Sequence, residues 1–236
     1  MNKGEVEIIT TGDGSHTLFS EQFNEIYHSR HGAIQESRHV YVMQGLDYVL
    51  SSPLGEDARR ADGVAVRILE IGFGTGLNTL LTMLEAEKRN LRVEYTALEL
   101  YPVAIETIKE LNYTQQLGYE YCYGPYHSLH LVRWNEMHEL THYFSFKKVN
   151  ESVFTYHISL ATYHLIYFDA FAPNHQPEMW TAEVFQKMYD SLVPGGILVT
   201  YCSKGDVQRA MKVAGFTEEK LQGPPGKKEM LRAHKK

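Results

Sequence analysis

The stretch VAVRILEIGFGTGLN, residues 64–78, decides the fold of this chain. It starts as an apolar run rich in β-branched residues and then passes through three glycines. Leucines follow at helical spacing, as Leu77, Leu80, Leu81 and Leu84. This pattern predicts a strand, a tight turn and a helix. In a doubly wound sheet, the turn between a strand and the next helix is a place where nucleotide-like ligands bind.

Further strands and helices alternate along the chain. Three apolar runs predict strands: RVEYTALEL (92–100), YHLIYFDAF (163–171) and ILVTYC (197–202). One helix is predicted to begin at Pro102, because a first helical turn accepts proline. Another is predicted from Val184 to Leu192, with its end at the PGG of residues 194–196. Strands that alternate with helices imply an α/β fold with a doubly wound, Rossmann-like sheet.

The two ends of the chain extend this scheme. FTEEKLQGPPGKKEMLRA (216–233) predicts two strands around a Gly-Pro-Pro-Gly turn, so the sheet is expected to be mostly parallel with an antiparallel C-terminal edge. Residues 64–236 are expected to form the main domain, and residues 1–63 an N-terminal extension packed on it, in a single folded unit. The extension holds a predicted short strand, EVEIIT (5–10), and a polar segment (28–46) with no predicted place in the sheet. Residues 119–160 have weak periodicity, and their elements are not predicted.

Composition excludes several classes of protein. The chain has 236 residues, 43% of them hydrophobic, which suits one domain with a substantial core. It has no apolar run of about 18 residues for a membrane span, and its start has no signal-peptide pattern, so a cytoplasmic location is expected. Its two cysteines, Cys122 and Cys202, are expected to be buried small residues. No metal site is expected, because the histidines at 127, 130, 138, 142, 157 and 164 lack a metal-ligand spacing.

Charge is distributed unevenly along the chain. The net charge of -6 argues against nucleic-acid binding over the whole surface. The segment from Lys204 to Lys236, called here the basic tail, has nine Lys or Arg against four acidic residues, a local charge of +5. Two interpretations remain open for the basic tail, a local phosphate-binding face and a merely solvated chain end.

The glycine turn has the features of a cofactor site. Gly72, Gly74 and Gly76 allow the backbone to approach a ligand closely. The third glycine of a dinucleotide fingerprint would fall at position 77, which is Leu, so NAD is disfavoured. Glu70 suits a positively charged ligand, and S-adenosylmethionine carries an ammonium and a sulfonium but no phosphate.

A second carboxylate follows the next predicted strand. Glu99 lies where an acidic residue commonly binds ribose hydroxyls, although it is alternatively an ordinary surface residue at a strand end. S-adenosylmethionine is therefore the expected cofactor. Its expected contacts are Glu70, Gly72, Gly74, Thr75, Gly76, Asn78 and Glu99.

Asp169 follows the third predicted strand, at the same edge of the sheet. Pro173 and Pro177 predict a rigid loop after it, and Phe171 and Trp180 are expected to form an apolar wall of the pocket. A carboxylate beside an amine can orient it and accept its proton during methyl transfer. The alternative interpretation is a helix cap with core aromatic residues.

Four segments resemble the methyltransferase domain of the MnmC-type family, which makes 5-methylaminomethyl-2-thiouridine in tRNA. They are EIGFGTGLN, FDAFAPNHQPEMWT, LVPGGILVTYCSKGDVQRAMKVAGF and GPPGKKEML, and the likeness extends from about Gln35 to Leu231. The resemblance implies a class I S-adenosylmethionine-dependent methyltransferase that methylates the aminomethyl group of the wobble uridine. It also implies an essential role for the aspartate that matches Asp169.

The chain also departs from the family pattern. Many members carry a fused FAD-dependent oxidase, whereas this chain ends at Lys236. A stand-alone form is therefore expected, with a separate enzyme to supply the aminomethyl precursor. The family often has an acidic residue near the adenine, but FSFKKVNES (144–152) has no clear Asp, so adenine contacts are not assigned.

The sequence thus favours an N-methyltransferase acting on the tRNA anticodon loop. Asp169 is the expected catalytic residue, and substrate contacts are expected from Phe171, Pro173, Trp180, Lys227 and Lys228. A methyltransferase of small-molecule amines is the main alternative. A binding module without catalysis is the third.

Overall fold

The computed structural model describes residues 6–58, 64–118 and 123–236. The N-terminal part forms strands and then helical turns. These elements are β1 (Val6–Thr10), β2 (His16–Ser20), β3 (Glu25–Ile26), α1 (Ala33–Ser37), a π-helical segment (Arg38–Leu46), α2 (Asp47–Ser51) and α3 (Leu54–Ala58).

Strands and helices then alternate to the end of the chain. The first group is β4 (Val66–Ile71), α4 (Leu77–Arg89), β5 (Val93–Leu98), α5 (Ile105–Lys109), α6 (Tyr113–Gln116), α7 (Tyr123–Leu131), β6 (Met137–Thr141) and β7 (Phe144–Val149). The second group is β8 (Tyr163–Phe168), a 3-10 helix (Pro177–Trp180), α8 (Ala182–Ser191), β9 (Leu192–Thr200), α9 (Gly205–Val213), β10 (Thr217–Gln222) and β11 (Glu229–His234).

The main sheet has the strand order β10-β11-β9-β8-β4-β5-β7-β6. Its five central strands, from β9 to β7, are parallel, and β10, β11 and β6 are antiparallel to their neighbours. The predicted α/β fold with an antiparallel C-terminal edge is therefore confirmed. The chain runs outward from β4 through β5 and later returns as β8 on the other side of β4, which makes the β4/β8 boundary the topological switch point.

Both faces of the central strands are covered. Successive residues of a strand belong to different apolar clusters. In β4, Ile68 belongs to one cluster and Leu69 to the other, and in β8 the same is true of Tyr167 and Phe168. These strands read as continuous apolar runs because neither face meets water. The same burial explains why they could be identified from sequence.

The polar segment 28–46, which had no predicted place in the sheet, is helical from Ala33 and packs against the sheet. The π-helical segment contacts β8, β9 and α4. Gly45 permits this close approach, since a Cβ there would lie 3.0 Å from the Tyr167 ring and 3.1 Å from Val199. Tyr41, a buried residue of the segment, has its ring centroid 5.1 Å from that of Tyr167. Residues before position 59 thus complete one face of the core.

Several boundaries differ from the expectations. The helix predicted at Pro102 begins only at Ile105, because the residue before it, Ala104, is extended, with φ -63° and ψ 139°. The helix predicted to end at PGG ends at Ser191 instead, and residues 194–196 lie within β9, where the pairing with β8 is irregular and Gly195 has φ 80°.

Other elements were outside the prediction. The predicted strand at 5–10 is observed as β1 over its described residues, but it joins a separate three-stranded sheet with β2 and β3. Strands β6 and β7 lie in the region that had no predicted elements. No described helix is both long and apolar enough to cross a bilayer.

Substitution of Gly72 tests how tightly the switch point is packed. A Cβ at Gly72, where φ is 94°, would lie 2.5 Å from the backbone oxygen of Asp169. Gly118 has a similar φ of 70° but no atom within 4 Å of its Cβ position. Both alanine variants should show backbone strain, and Gly72→Ala should lose about 1–3 kcal/mol more free energy of unfolding because it adds overpacking. Equal losses in urea unfolding would show that the β4 and β8 ends separate easily.

Candidate functional site

The carboxyl ends of the five parallel strands meet at one cavity. The residue at or just beyond each end lines it: Gly72 after β4, Glu99 after β5, Glu151 beyond β7, Asp169 after β8 and Tyr201 after β9. The strand ends are in register, with Ile71 paired to both Leu98 and Phe168. The cavity has a volume of about 530 Å³, within the range of small-molecule and cofactor sites.

The glycine turn and Glu99 form one wall of the cavity. The amide of Gly74 donates to Glu99 Oε2 at 2.9 Å, and the amide of Tyr101 donates to Oε1 at 2.7 Å. Burial raises the pKa of Glu99, and these amide bonds oppose the rise. Two backbone bonds thus fix the orientation of a carboxylate that still faces the cavity.

Asn78 joins two acidic side chains, the buried Glu70 and the half-buried Asp169. Its Nδ2 donates to Glu70 Oε1 at 2.9 Å and to Asp169 Oδ2 at 2.8 Å. Thr79 Oγ1 donates to the other Glu70 oxygen at 2.9 Å. Because both amide hydrogens are committed, the position of Asp169 depends on Asn78, whose position in turn depends on Glu70.

Burial raises the pKa values of both carboxyls. The pKa of Glu70 rises to about 8, mainly because it is removed from water, with Asn78 lowering it and Asp169 raising it further. Burial likewise raises the pKa of Asp169 to about 6, and its bond with Asn78 opposes the rise. The Tyr41 hydroxyl also lowers the pKa of Asp169, from a position that falls short of hydrogen-bond geometry. An aspartate that exchanges its proton near pH 6 suits a role as a base.

The outer wall comes from the N-terminal part of the chain. The rings of Phe23 and Phe171 stack with centroids 4.4 Å apart, and Tyr27 meets Phe171 edge-on at 5.0 Å. Glu25 Oε2 accepts from the amide of Ala172 at 2.8 Å, which ties β3 to the loop after β8. Sequence reasoning missed these residues because no local pattern shows that β3 packs on that loop. The one available signal was the aromatic and acidic content of FNEIY (23–27).

The structure brings eight of the expected site residues to the cavity lining. These are Gly72, Gly74, Thr75, Asn78, Glu99, Asp169, Phe171 and Lys227. Residues 151–154 also line it, and Glu151, within the stretch 144–152 that has no clear Asp, supplies an acidic side chain.

Five expected site residues lie outside the lining: Glu70, Gly76, Pro173, Trp180 and Lys228. Glu70 is fully buried beneath Asn78. Trp180 is buried against Phe168, and its Nε1 donates to the Phe171 carbonyl at 2.8 Å, so it supports the loop from behind.

The remaining three lie apart from the lining for different reasons. Gly76 is in the same turn, but its Cβ position faces His130 Nε2 at 2.8 Å. Pro173 is half-buried in the loop after β8, and Lys228 is exposed.

All four acidic residues of the basic tail are paired within it, and its net charge remains +5. Its four acidic residues each pair with a base of the tail, as Asp206 with Arg209, Glu218 with Lys212, Glu219 with Arg232 and Glu229 with Lys220. Lys227 pairs with Glu36, a residue outside the tail, and both side chains line the cavity. The net charge of +5 is carried by Lys227 and by Lys204, Lys228, Lys235 and Lys236, so the phosphate-binding interpretation of the tail stays a prediction.

The cavity lining is predominantly acidic. It contains six carboxylates, Glu25, Glu36, Glu99, Glu151, Asp169 and Glu178, against two permanent cations, Arg30 and Lys227. Such a lining attracts a positively charged ligand and disfavours a pyrophosphate. Within the described ranges, no group of three His, Cys, Asp or Glu side chains is placed to hold a metal ion. Cys202 is free and buried as expected, and Cys122 lies outside the described residues.

The raised pKa values predict how stability depends on pH. Glu70 and Asp169 bind protons more tightly in the folded state, so their stabilising contribution is present at low pH and lost as pH rises through about 6 and 8. The Tm of the native protein should therefore fall across this window. Glu70→Gln cannot ionise, so its Tm should fall less between pH 6 and 9. Glu106→Gln, at an exposed position of α5, is the control and should parallel the native protein. If the curves of Tm against pH were parallel for all three proteins, the raised pKa of Glu70 would be contradicted.

One family model and several curated proteins are similar to this chain. A family model described as S-adenosyl-L-methionine-dependent methyltransferase matches residues 133–236. The tRNA 5-methylaminomethyl-2-thiouridine biosynthesis bifunctional protein MnmC of Nitrosospira multiformis is 29% identical over 224 residues, covering 91% of this chain and 34% of that protein. The protein of the same name from Aromatoleum aromaticum is 30% identical over 235 residues, covering 94% of this chain and 34% of that protein. The chain thus spans about a third of the length of these curated relatives.

Solved structures share the fold. MNMC2 from Aquifex aeolicus superposes with a TM-score of 0.74 at 24% identity, over 98% of this chain and 71% of that one. Spermidine synthase from Thermotoga maritima superposes with a TM-score of 0.52 at 13% identity, over 100% of this chain and 70% of that one. Residues 133–236 thus match the S-adenosyl-L-methionine-dependent methyltransferase family, and about nine-tenths of the chain is similar to part of the MnmC bifunctional proteins.

Proposed function

We propose that the protein N-methylates the 5-aminomethyl group of a wobble uridine in tRNA, with or without a 2-thio group, to give 5-methylaminomethyluridine. The observation that carries the proposal is the place of Asp169, a half-buried carboxylate that lines the cavity at the switch point and accepts a hydrogen bond from Asn78. The names of the MnmC relatives, which refer to 5-methylaminomethyl-2-thiouridine in tRNA, support the choice of substrate.

S-adenosyl-L-methionine supplies the methyl group, carried on a sulfonium, and the residues of the cavity fit it. The acidic lining suits its two positive charges, and the glycine turn leaves space because Gly72 and Gly74 have no side chains. We propose that Glu99 binds the ribose hydroxyls, since its carboxylate is held facing the cavity by two amides. Glu151 and Phe154 are the proposed neighbours of the adenine.

Asp169 has two tasks in this proposal. An alkylammonium has no lone pair for attack, so the amine must first lose a proton, and Asp169 is placed to accept it. Once neutral, the amine nitrogen forms a bond to the methyl carbon as the sulfur–carbon bond breaks. The nitrogen must be held in line at roughly 3–3.5 Å. The bond from Asn78 fixes one oxygen of Asp169 and leaves the other to hold the amine.

A small-molecule amine is the second candidate substrate, and one observation favours it. The chain has a net charge of -6, which disfavours contact of a large surface with a tRNA backbone. The acidic cavity suits either substrate. A separate enzyme that generates the aminomethyl group is required only by the tRNA proposal.

Nucleoside mass spectrometry tests the reaction directly. With S-adenosyl-L-methionine and tRNA bearing 5-aminomethyluridine, the native protein should add one methyl group to that nucleoside. Asp169→Asn should lower the rate by about 100-fold or more, because it can neither accept the proton nor attract the ammonium. Asp206→Asn, at an exposed position of α9, is the matched control and should retain full activity.

The same assay separates the two candidate substrates. Methylation of tRNA but not of free 5-aminomethyluridine would support the tRNA proposal. Methylation of small amines with no action on tRNA would replace it. Cofactor binding by Asp169→Asn, measured by calorimetry, shows that a loss of activity is not a loss of folding.

The rate should also depend on pH in a defined direction. Below pH 6 Asp169 is protonated and cannot act as a base, so kcat/KM of the native protein should rise as pH increases through about 6. This acidic limb should be missing from the residual activity of Asp169→Asn. An unchanged limb in the variant, measured from pH 5 to 8, would assign it to another group.

A further inference from the structure

An ion pair lies in the cavity wall and has no role in the chemistry described above. Lys227 Nζ donates to Glu36 Oε1 at 2.5 Å, and the amide of Ser29 donates to Glu36 Oε2 at 2.5 Å. The Lys227 ammonium lies 3.8 Å from the centroid of the Tyr201 ring. The Tyr201 hydroxyl is itself fixed by a 2.9 Å bond to the carbonyl of Ala170. The pair is therefore held rigidly, although it joins residues that lie 191 positions apart.

Neither member of the pair has used its full hydrogen-bonding capacity. An ammonium has three donors, and Lys227 commits one of them to Glu36. A carboxylate has about four acceptor positions, and Glu36 uses two. Both residues line the cavity. The wall thus presents a hydrogen-bond donor and a hydrogen-bond acceptor side by side.

The pair is close to Asp169. Lys227 lies over the Tyr201 ring, and Tyr201 donates to the carbonyl of Ala170, the residue that follows Asp169. Glu36, Lys227 and Asp169 line the same cavity. A group bound at Asp169 therefore has the donor and the acceptor within its immediate surroundings. In a 5-substituted uracil, the C4 carbonyl is next to the substituted carbon, and the N3–H donor follows it.

We propose that Lys227 and Glu36 read the C4-carbonyl and N3–H edge of a uracil whose 5-aminomethyl group is held at Asp169. Lys227 donates to the C4 oxygen, and Glu36 accepts from N3–H. This inference rests on the proposed function and adds base specificity to it. A cytosine ring presents an amino group at C4 and an acceptor at N3, so it opposes both contacts.

The expected discrimination follows from the cost of mismatched polar groups. A good pair of contacts to a base edge is worth about 1–3 kcal/mol, which corresponds to roughly 5–150-fold in rate. Wild-type protein should therefore favour 5-aminomethyluridine over 5-aminomethylcytidine, in otherwise identical anticodon stem-loops, by about tenfold or more in kcat/KM. An N3-methyluridine analogue should lose about tenfold, because the bond to Glu36 is blocked. This comparison needs no variant and so does not depend on folding.

Variants assign the effect to the pair. Glu36→Gln should reduce the preference for uridine over cytidine about tenfold, since its amide can donate to N3 of cytosine. Lys227→Met should lower kcat/KM for the uridine substrate about tenfold. Lys220→Met, at an exposed position of the same hairpin, is the control and should change neither value. Binding of S-adenosyl-L-methionine, measured by calorimetry, confirms that each variant is folded.

The outcomes separate this inference from the proposed function. No methylation of the uridine stem-loop by wild-type protein would remove the proposed function. Methylation of uridine with no preference over cytidine, or with full activity on the N3-methyl analogue, would overturn the edge-reading role alone. A Glu36→Gln variant that binds cofactor and keeps the wild-type preference would also overturn it.

Discussion

The two hydrogen bonds from the Asn78 amide are the constraint on which the site depends. They bridge Glu70, which is buried at the end of β4, and Asp169, which follows β8. The two strands lie side by side only because the sheet order reverses at this point. Gly72 completes the arrangement by allowing the backbone of the turn to lie against the Asp169 carbonyl. Burial of two carboxylates is costly, and their shared donor is what makes the arrangement tolerable.

The central architecture could be predicted because its signals are local. Buried parallel strands give continuous apolar runs, and the glycines after β4 mark the turn wherever the rest of the chain lies. Asp169 and Glu99 were identifiable as residues that follow such strands. The outer wall was not, because Phe23, Glu25 and Glu36 acquire their places through packing across the molecule. Trp180 shows the converse error, since an aromatic residue next to a site can support it from behind.

The basic tail shows why charge counted along a sequence is a poor measure of surface charge. The antiparallel pairing of β10 with β11 places Glu219 opposite Arg232 and Gln222 opposite Glu229. Glu219 therefore pairs with Arg232 across the hairpin, and Lys220 pairs with Glu229 diagonally. Lys227, in the turn of the hairpin, pairs instead with a residue from a distant part of the chain, Glu36. The composition of the basic tail predicts its net charge, but it does not show which residues form ion pairs.

The contact between Glu36 and Lys227 has a consequence for the order of events during synthesis. The N-terminal hairpin and the π-helical segment are synthesised first. Lys227, which completes the ion pair in the cavity wall, is made 191 positions after Glu36. The β4 turn and Asp169 are both synthesised before that residue. A nascent chain that has reached Asp169 therefore still lacks Lys227, and this wall of the cavity stays incomplete until the turn between β10 and β11 has been made. Completion of the site is therefore tied to completion of the fold.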